Sequence, residues 1–131
     1  MNAEAFRRLA LGLKDVVEGA HMGHPDFRLH GRIFATLHAD MASGMVKLTP
    51  DQQRAFMQSN PAAFAPERGA WGRAGCTCVK LAVVDEETAG EEMTHAWRNV
   101  AESAAALRAK RRRSGPRQPG KRRSRARSDD S

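Results

Sequence analysis

Three histidines fall within ten residues near the N-terminus, in the segment HMGHPDFRLH at positions 21–30. Imidazoles are common zinc ligands, but a zinc site needs three or four ligands that converge at about 2.0–2.3 Å from one point. His24 and His30 lie at opposite ends of a predicted strand, which would hold them about 17 Å apart. We therefore expect no metal site and no cofactor, and we interpret these histidines and His38 as surface or hydrogen-bonding groups.

The chain has two cysteines, Cys76 and Cys78, separated by one residue. On a strand their side chains point to the same face with Cα atoms about 6.6 Å apart, which is a poor geometry for a disulfide. We interpret them as small core-facing side chains. A redox or metal site would need a third partner that the sequence does not identify. Two cysteines cannot build a disulfide framework, so we expect a cytoplasmic protein.

Motifs of nucleophilic or phosphate-transfer chemistry are absent from the sequence. It contains no GxSxG, no P-loop and no paired carboxylates in a glycine-rich loop. The lack of tyrosine and the low aromatic content of 5% argue against a deep apolar pocket. We therefore expect that the protein is not an enzyme.

The segment RGAWGRAG at positions 68–75 places Arg68 and Arg73 on either side of Trp71. We interpret it as a glycine-rich loop, in which the glycines permit close backbone approach. An arginine-flanked tryptophan at a hairpin tip can press on a sugar–phosphate backbone or stack on a base. Alternatively, Trp71 folds back over the core and the arginines are merely solvated.

Apolar periodicity predicts the elements that position these residues. Residues 4–17 read as an amphipathic helix that Gly19 stops. Residues 25–48 alternate and are punctuated by glycine, which predicts short antiparallel strands. Thr49 begins a short helix with a Thr-x-x-Gln capping box that runs to about Ser59. Strands return over residues 62–84, and Asp85 caps a final helix. The prediction is an α+β, two-layer sandwich, with an antiparallel sheet packed against N- and C-terminal helices.

The charge of the 131-residue chain is unevenly distributed. The formal net charge is +7, yet residues 110–131 carry +8 and residues 1–109 carry −1. We predict one domain over residues 1–109 and a disordered basic tail over residues 110–131. Within the domain, residues 27–84 carry a net charge of +4, so the cations favour the predicted sheet. No apolar run is long enough to span a membrane, and no secretory signal is evident.

Four sequence blocks carry a family resemblance. GHPDFRLHGRIFATL, VKLTPDQQRAF, PAAFAPERGAWGRAG and a late AWR follow one another within residues 4–108. In order and spacing they resemble the MmcQ/YjbR family of small bacterial proteins. The resemblance implies a CyaY-like two-layer sandwich and a DNA-binding protein with a double-wing arrangement. Family members often carry aromatic residues at or near Cys76 and Cys78, so this strand departs from the pattern.

The resemblance and the charge pattern together predict a non-enzymatic DNA-binding protein, weakly sequence-specific, with no membrane partner. A basic sheet face and loop would contact phosphates, and the tail would add non-specific affinity. The alternative is a protein-interaction or small-ligand-binding module on the same fold with an incidental tail. A third option is an iron or zinc handler that uses the acidic residues at positions 86, 87, 91 and 92. The predicted DNA-binding residues are Arg28, Arg32, Lys47, Arg68, Trp71, Arg73, Lys80, Arg111, Arg112, Arg113, Lys121, Arg122 and Arg123.

Overall fold

A computed structural model describes residues 1–113 of the chain. Residues Met1–Ala101 form one compact unit, and a second unit begins at Glu102, of which the described part is helical. The elements, in chain order, are α1 Ala3–Leu11, β1 Val16–His21, β2 His24–Leu29, β3 Arg32–Leu37, β4 Ser43–Lys47, α2 Pro50–Ser59, β5 Phe64–Pro66, α3 Gly69–Arg73, β6 Cys76–Lys80 and α4 Glu86–Arg113.

The six described strands form one antiparallel sheet in the order β1-β2-β3-β4-β6-β5. Two-residue turns join the first three strands. Met22 and Gly23 have φ of 51° and 84°, and His30 and Gly31 have φ of 53° and 80°. Positive φ at both turn positions matches the right-handed twist of the flanking strands, so each turn sets the register of its hairpin. The N-terminal histidine segment is thus a β-hairpin tip followed by a second hairpin.

The hydrophobic core lies on one face of the sheet. On that face Phe6 of α1 packs against Phe27 of β2, with ring centroids 6.1 Å apart. Phe56 of α2 meets Phe64 of β5 at 5.3 Å. The α4 residue Met93 is fully buried in the same cluster. The predicted α+β two-layer sandwich, with terminal helices on an antiparallel sheet, is confirmed.

The N-terminal helix is shorter than predicted, because residues 16–21 form a strand. Helix α1 ends at Leu11, and the Gly12 N–H closes it on backbone carbonyls. Asp15 then takes a φ of 64°, which reverses the chain into β1. Val17 and Gly19, predicted as the end of the helix, instead pair with β2. The β-branched pair Val16–Val17 favours a strand, and the helical spacing of the apolar residues concealed that preference.

Both helix starts predicted from capping residues are confirmed. Thr49 and Gln52 form the reciprocal capping box of α2, which ends at Ser59 as predicted. Asp85 accepts a hydrogen bond of 2.7 Å from the Thr88 N–H at the start of α4. The last helix continues to Arg113. Residues 110–113, which were predicted to belong to a disordered tail, are therefore helical. The rest of the predicted tail lies outside the described residues. None of the described helices has the length and apolar character needed to cross a bilayer.

Glu92 lies on the buried side of α4. Its side chain is fully buried, and neither carboxyl oxygen has a hydrogen-bond partner among the described residues. Burial raises the pKa of Glu92 from 4.5 to about 8, so the group is protonated at neutral pH. It is therefore not available to the acidic cluster considered for metal handling.

We expect Glu92→Gln to stabilise the fold increasingly as pH rises. The pKa of Glu92 is higher in the folded chain than in the unfolded chain, so the unfolded chain loses this proton at lower pH. The parent protein therefore loses stability as pH rises from 4.5 to 8. At about 1.4 kcal/mol per pH unit, the difference between variant and parent should grow by about 3 kcal/mol from pH 4.5 to 7. Denaturant unfolding across this range measures it, with exposed Glu91→Gln as control. An equal pH trend in both variants would contradict the assignment.

Candidate functional site on the uncovered face of the sheet

The register of β4 and β6 separates two faces of the sheet. Val46 pairs with Thr77, and both side chains are buried on the helix-covered face. There Gln53 of α2 donates a hydrogen bond of 3.2 Å to Thr77 Oγ1. Lys47 pairs with Cys76, one residue along each strand. Because successive side chains alternate between faces, Lys47 and Cys76 belong to the opposite face, which we call the uncovered face.

Both cysteines lie on the uncovered face, which corrects the prediction that they face the core. Cys76 and Cys78 do share one face, as predicted, but Thr77 and Val79 are the residues of β6 that point to the helices. Cys76 is buried, Cys78 is half-buried, and both are free thiols. Burial, the largest cause, raises the pKa of each thiol, so both are protonated at neutral pH.

A groove of about 550 Å³ runs along the uncovered face. The strand residues Ile33, Thr36 and Met45 line it, together with the side chains of Lys47 and Cys76. Its lining is thus mixed, with apolar and hydroxyl groups beside one lysine. A concave surface with apolar contacts and a few polar groups is typical of a binding site.

The rim of the groove carries two exposed apolar side chains. Met22, at the tip of the β1–β2 hairpin, is 92% exposed, and Trp71 of α3 is 68% exposed. Both line the groove, as do His21 and Arg68. Trp71 therefore does not fold back as a lid on the core, and its proposed contact with nucleic acid stays a prediction.

The glycine-rich segment is a short helix and not the predicted loop. Gly69, with φ of 66°, precedes the turn of α3. A Cβ on Gly72 would lie 1.8 Å from the Glu67 carbonyl oxygen, so only glycine allows this close approach. The backbone of α3 is thereby held against residue 67, and Arg68 and Trp71 are brought to the groove.

Three of the predicted DNA-binding cations share the uncovered face. Lys47 and Arg68 line the groove. Lys80 pairs with Ser43 and has the same strand parity as Cys78, so it lies on this face as well. Within residues 1–113, none of these three cations forms an ion pair with a carboxylate. Arg73 is exposed at the last turn of α3.

Other predicted cations are placed differently. Arg28 lies on the uncovered face but is paired with Asp26 at 2.7 Å. Arg32 pairs with the core residue Leu29, so it belongs to the helix-covered side. In α4, Arg111, Arg112 and Arg113 are exposed. The predicted residues Lys121, Arg122 and Arg123 lie outside the described residues.

Asp26 is the centre of a buried polar cluster on β1 and β2. Its carboxylate accepts hydrogen bonds of 2.7 and 3.0 Å from Arg28, and it lies 2.7 Å from His21 Nδ1. The His24 ring lies against that of His21, with centroids 4.6 Å apart and ring planes tilted by 60°. The hydrogen bond from Arg28 is the main cause that lowers the pKa of Asp26 below its usual value. His21 is thus a hydrogen-bonding histidine, as predicted, whereas His24 Nδ1 is buried without a hydrogen-bond partner among residues 1–113.

A second polar cluster joins three segments that are distant in sequence. His38 Nε2 lies 2.8 Å from Glu67 Oε2, and the ligand atoms of His38, Glu67 and Cys78 all lie within 4.8 Å of one another. Sequence reasoning required a third partner for the cysteines and found none. Glu67 is 29 residues from His38, and only the pairing of β4, β6 and β5 brings them together.

The YjbR family model matches residues 11–99 of the chain. The chain belongs to the YjbR family. The match confirms the family resemblance read from the four sequence blocks. The fold is similar to the crystal structure of Deinococcus radiodurans protein DR2400, a DUF419-domain protein, with a TM-score of 0.62 and 18% identity over 73% of this chain and 75% of that chain. At this identity the likeness shows the fold alone. The chain matches none of the curated proteins with which it was compared.

We expect Asp26→Asn to destabilise this YjbR protein at neutral pH by about 2 kcal/mol, the typical worth of hydrogen bonds to a buried charged group. The folded pKa of Asp26 is lowered from 3.8, so its contribution is present above 3.8 and is lost as pH falls through the folded pKa. Urea unfolding at pH 7 and at progressively lower pH measures both effects.

Asp51→Asn is the matched control, because Asp51 pairs with Arg54 on an exposed surface. Exposed pairs contribute about 0–1 kcal/mol. A loss for Asp26→Asn no larger than that of the control would show that the buried cluster does not stabilise the hairpin.

Proposed function

We propose that this YjbR-family protein is a non-enzymatic DNA-binding protein whose uncovered sheet face contacts phosphates. The observation that carries the proposal is the position of Lys47, Arg68 and Lys80 on one face, without carboxylate partners among residues 1–113. Cations that are not already paired can release counterions from a nucleic acid backbone, which is the main source of non-specific affinity.

The rim of the groove supports contact with an extended polyanion. Trp71 is largely exposed beside Arg68, so its ring is available to a sugar or a base without rearrangement of the core. Stacking on an aromatic ring tolerates any base sequence, because every base has a π-face. The proposed binding is therefore weakly sequence-specific.

The proposed surface is smaller than the one expected from the sequence. Arg28 is engaged by Asp26, and Arg32 belongs to the opposite side of the sheet. The remaining cations of the proposed interface are Lys47, Arg68, Arg73 and Lys80. The basic C-terminal residues would add a separate, non-specific contribution to affinity. A cytoplasmic location, consistent with free thiols at both cysteines, belongs to the same proposal.

We expect the double variant Lys47→Ala/Arg68→Ala to bind duplex DNA more weakly and with a smaller salt dependence. Each lost phosphate contact should reduce the slope of log K against log salt by about 0.9, so the double variant should lose about 2. Fluorescence anisotropy with a labelled duplex, using the full chain between about 50 and 200 mM salt, measures the slope.

The control variant is Arg32→Ala/Arg54→Ala, which removes the same charge. Arg32 shares the helix-covered side with Leu29, and Arg54 lies on α2, so neither belongs to the proposed surface. Equal losses in the two double variants would show that net charge, and not the uncovered face, determines binding. Unchanged binding in both would assign the affinity to the C-terminal residues alone.

A small-ligand-binding module is the second candidate, and the shape of the groove favours it. A volume of about 550 Å³ is in the range of known ligand pockets, roughly 300–1,000 Å³. Ile33, Met45 and Trp71 supply apolar contacts. In this case affinity for DNA should be absent, and a neutral metabolite should raise the melting temperature of the parent protein but not of Trp71→Ala. A thermal-shift screen at two salt concentrations separates the two functions.

A further inference from the structure

We propose that His38, Glu67 and Cys78 form a binding site for a thiophilic divalent cation, with Zn²⁺ as the representative ion. The three residues supply an imidazole nitrogen, a carboxylate oxygen and a thiol sulfur, all within 4.8 Å of one another. The proposed DNA contacts involve none of these three side chains, although His38 and Glu67 line the same groove as Lys47 and Arg68.

The spacing of the donor atoms is close to that of ligands around a tetrahedral ion. Ligand bonds of about 2.0–2.3 Å place tetrahedral ligand atoms about 3.3–3.8 Å apart. In the structure the separations run from 2.8 Å, between His38 Nε2 and Glu67 Oε2, to at most 4.8 Å. These separations lie on both sides of the tetrahedral range, so side-chain adjustments would have to accompany binding of an ion.

The chemical nature of the donors selects the class of ion. Thiolate and imidazole favour Zn²⁺ and similar transition metals, whereas Mg²⁺ and Ca²⁺ prefer sites made of oxygen. One thiolate, one carboxylate and one neutral imidazole also balance the charge of a divalent ion. Three protein ligands leave a fourth position open, as in zinc sites that bind water or an exogenous group.

Hydrogen bonds behind the cluster orient His38. His38 Nδ1 lies 2.7 Å from Ser43 Oγ, and this hydroxyl lies 3.3 Å from Asp40 Oδ1. Asp40 is itself fixed, because it accepts hydrogen bonds from the backbone N–H groups of Ala42 and Ser43. Metal-binding histidines typically use their other ring nitrogen in this way, which fixes the tautomer and directs Nε2 at the ion.

The cluster is accessible to an ion from solvent. The side chains of His38 and Glu67 are 30% and 22% exposed, so an ion can enter from the groove that both residues line. Burial is the main cause that raises the pKa of the Cys78 thiol; the charges of Glu67 and Asp40 add to it and that of Lys80 opposes it. Binding of a divalent ion would displace the thiol proton to solvent, since the thiolate is the form that ligates metals.

The test uses the full chain with reduced cysteines and Co²⁺ as a spectroscopic substitute for Zn²⁺. We expect one equivalent of Co²⁺ to produce a sulfur-to-cobalt charge-transfer band in the near ultraviolet, and one equivalent of Zn²⁺ to abolish it. Calorimetry with Zn²⁺ should give one site per chain. Cys78→Ser should remove the band and weaken Zn²⁺ binding by about 100-fold or more, since even residues behind the ligands are worth about 10- to 100-fold.

Cys76→Ser is the matched control, because Cys76 lies on the same strand and face but outside the cluster. It should retain the band and the affinity, whereas Glu67→Gln should keep the band and lose affinity. Circular dichroism of each variant verifies its folding. The proposal is overturned if the parent protein gives no thiolate band at one equivalent. It is also overturned if Cys76→Ser removes the band while Cys78→Ser keeps it, or if saturable Zn²⁺ binding is unaffected by all three variants.

Discussion

Within residues 1–113, α1, α2 and α4 pack on one face of the sheet, and this asymmetry determines most other features of the molecule. Each strand must send alternate side chains to the core, and its remaining side chains must be compatible with water. In β4 and β6 the core takes Val46, Thr77 and Val79, so the other face receives Lys47 and the two cysteines. The groove, its cations and the His38–Glu67–Cys78 cluster all follow from which alternate residues of these strands face the core.

Local signals in the sequence predicted the helix starts well and the strand faces less well. The Thr49–Gln52 capping box and the Asp85 cap depend on a few neighbouring residues, so they could be read directly. The face occupied by Cys76 and Cys78 depends on which parity of β6 meets the helices, and cysteine suits either environment. Strand β1 was missed for a related reason. Its apolar residues have a helical spacing, and its pairing with β2 is a contact that local patterns do not show.

The sequence identified single candidate residues, but not which of them lie together in the structure. Arginines and lysines of the sheet were identified, yet the sequence could not show that Asp26 engages Arg28 while Lys47 has no carboxylate partner in the described part of the chain. Nor could it join His38 to Glu67 and Cys78, because the three residues meet only through strands that are not consecutive in the chain. Contacts of this kind depend on the order of strands in the sheet, about which local patterns carry no information.

The buried carboxyl of α4 makes folding a proton-linked reaction. At neutral pH the native chain holds a proton on Glu92 that the denatured chain gives up. Unfolding at this pH therefore releases the proton of Glu92 to the buffer. The heat absorbed in a calorimeter then includes the protonation enthalpy of whichever buffer is chosen, so the apparent enthalpy of unfolding is a joint property of the protein and its solution.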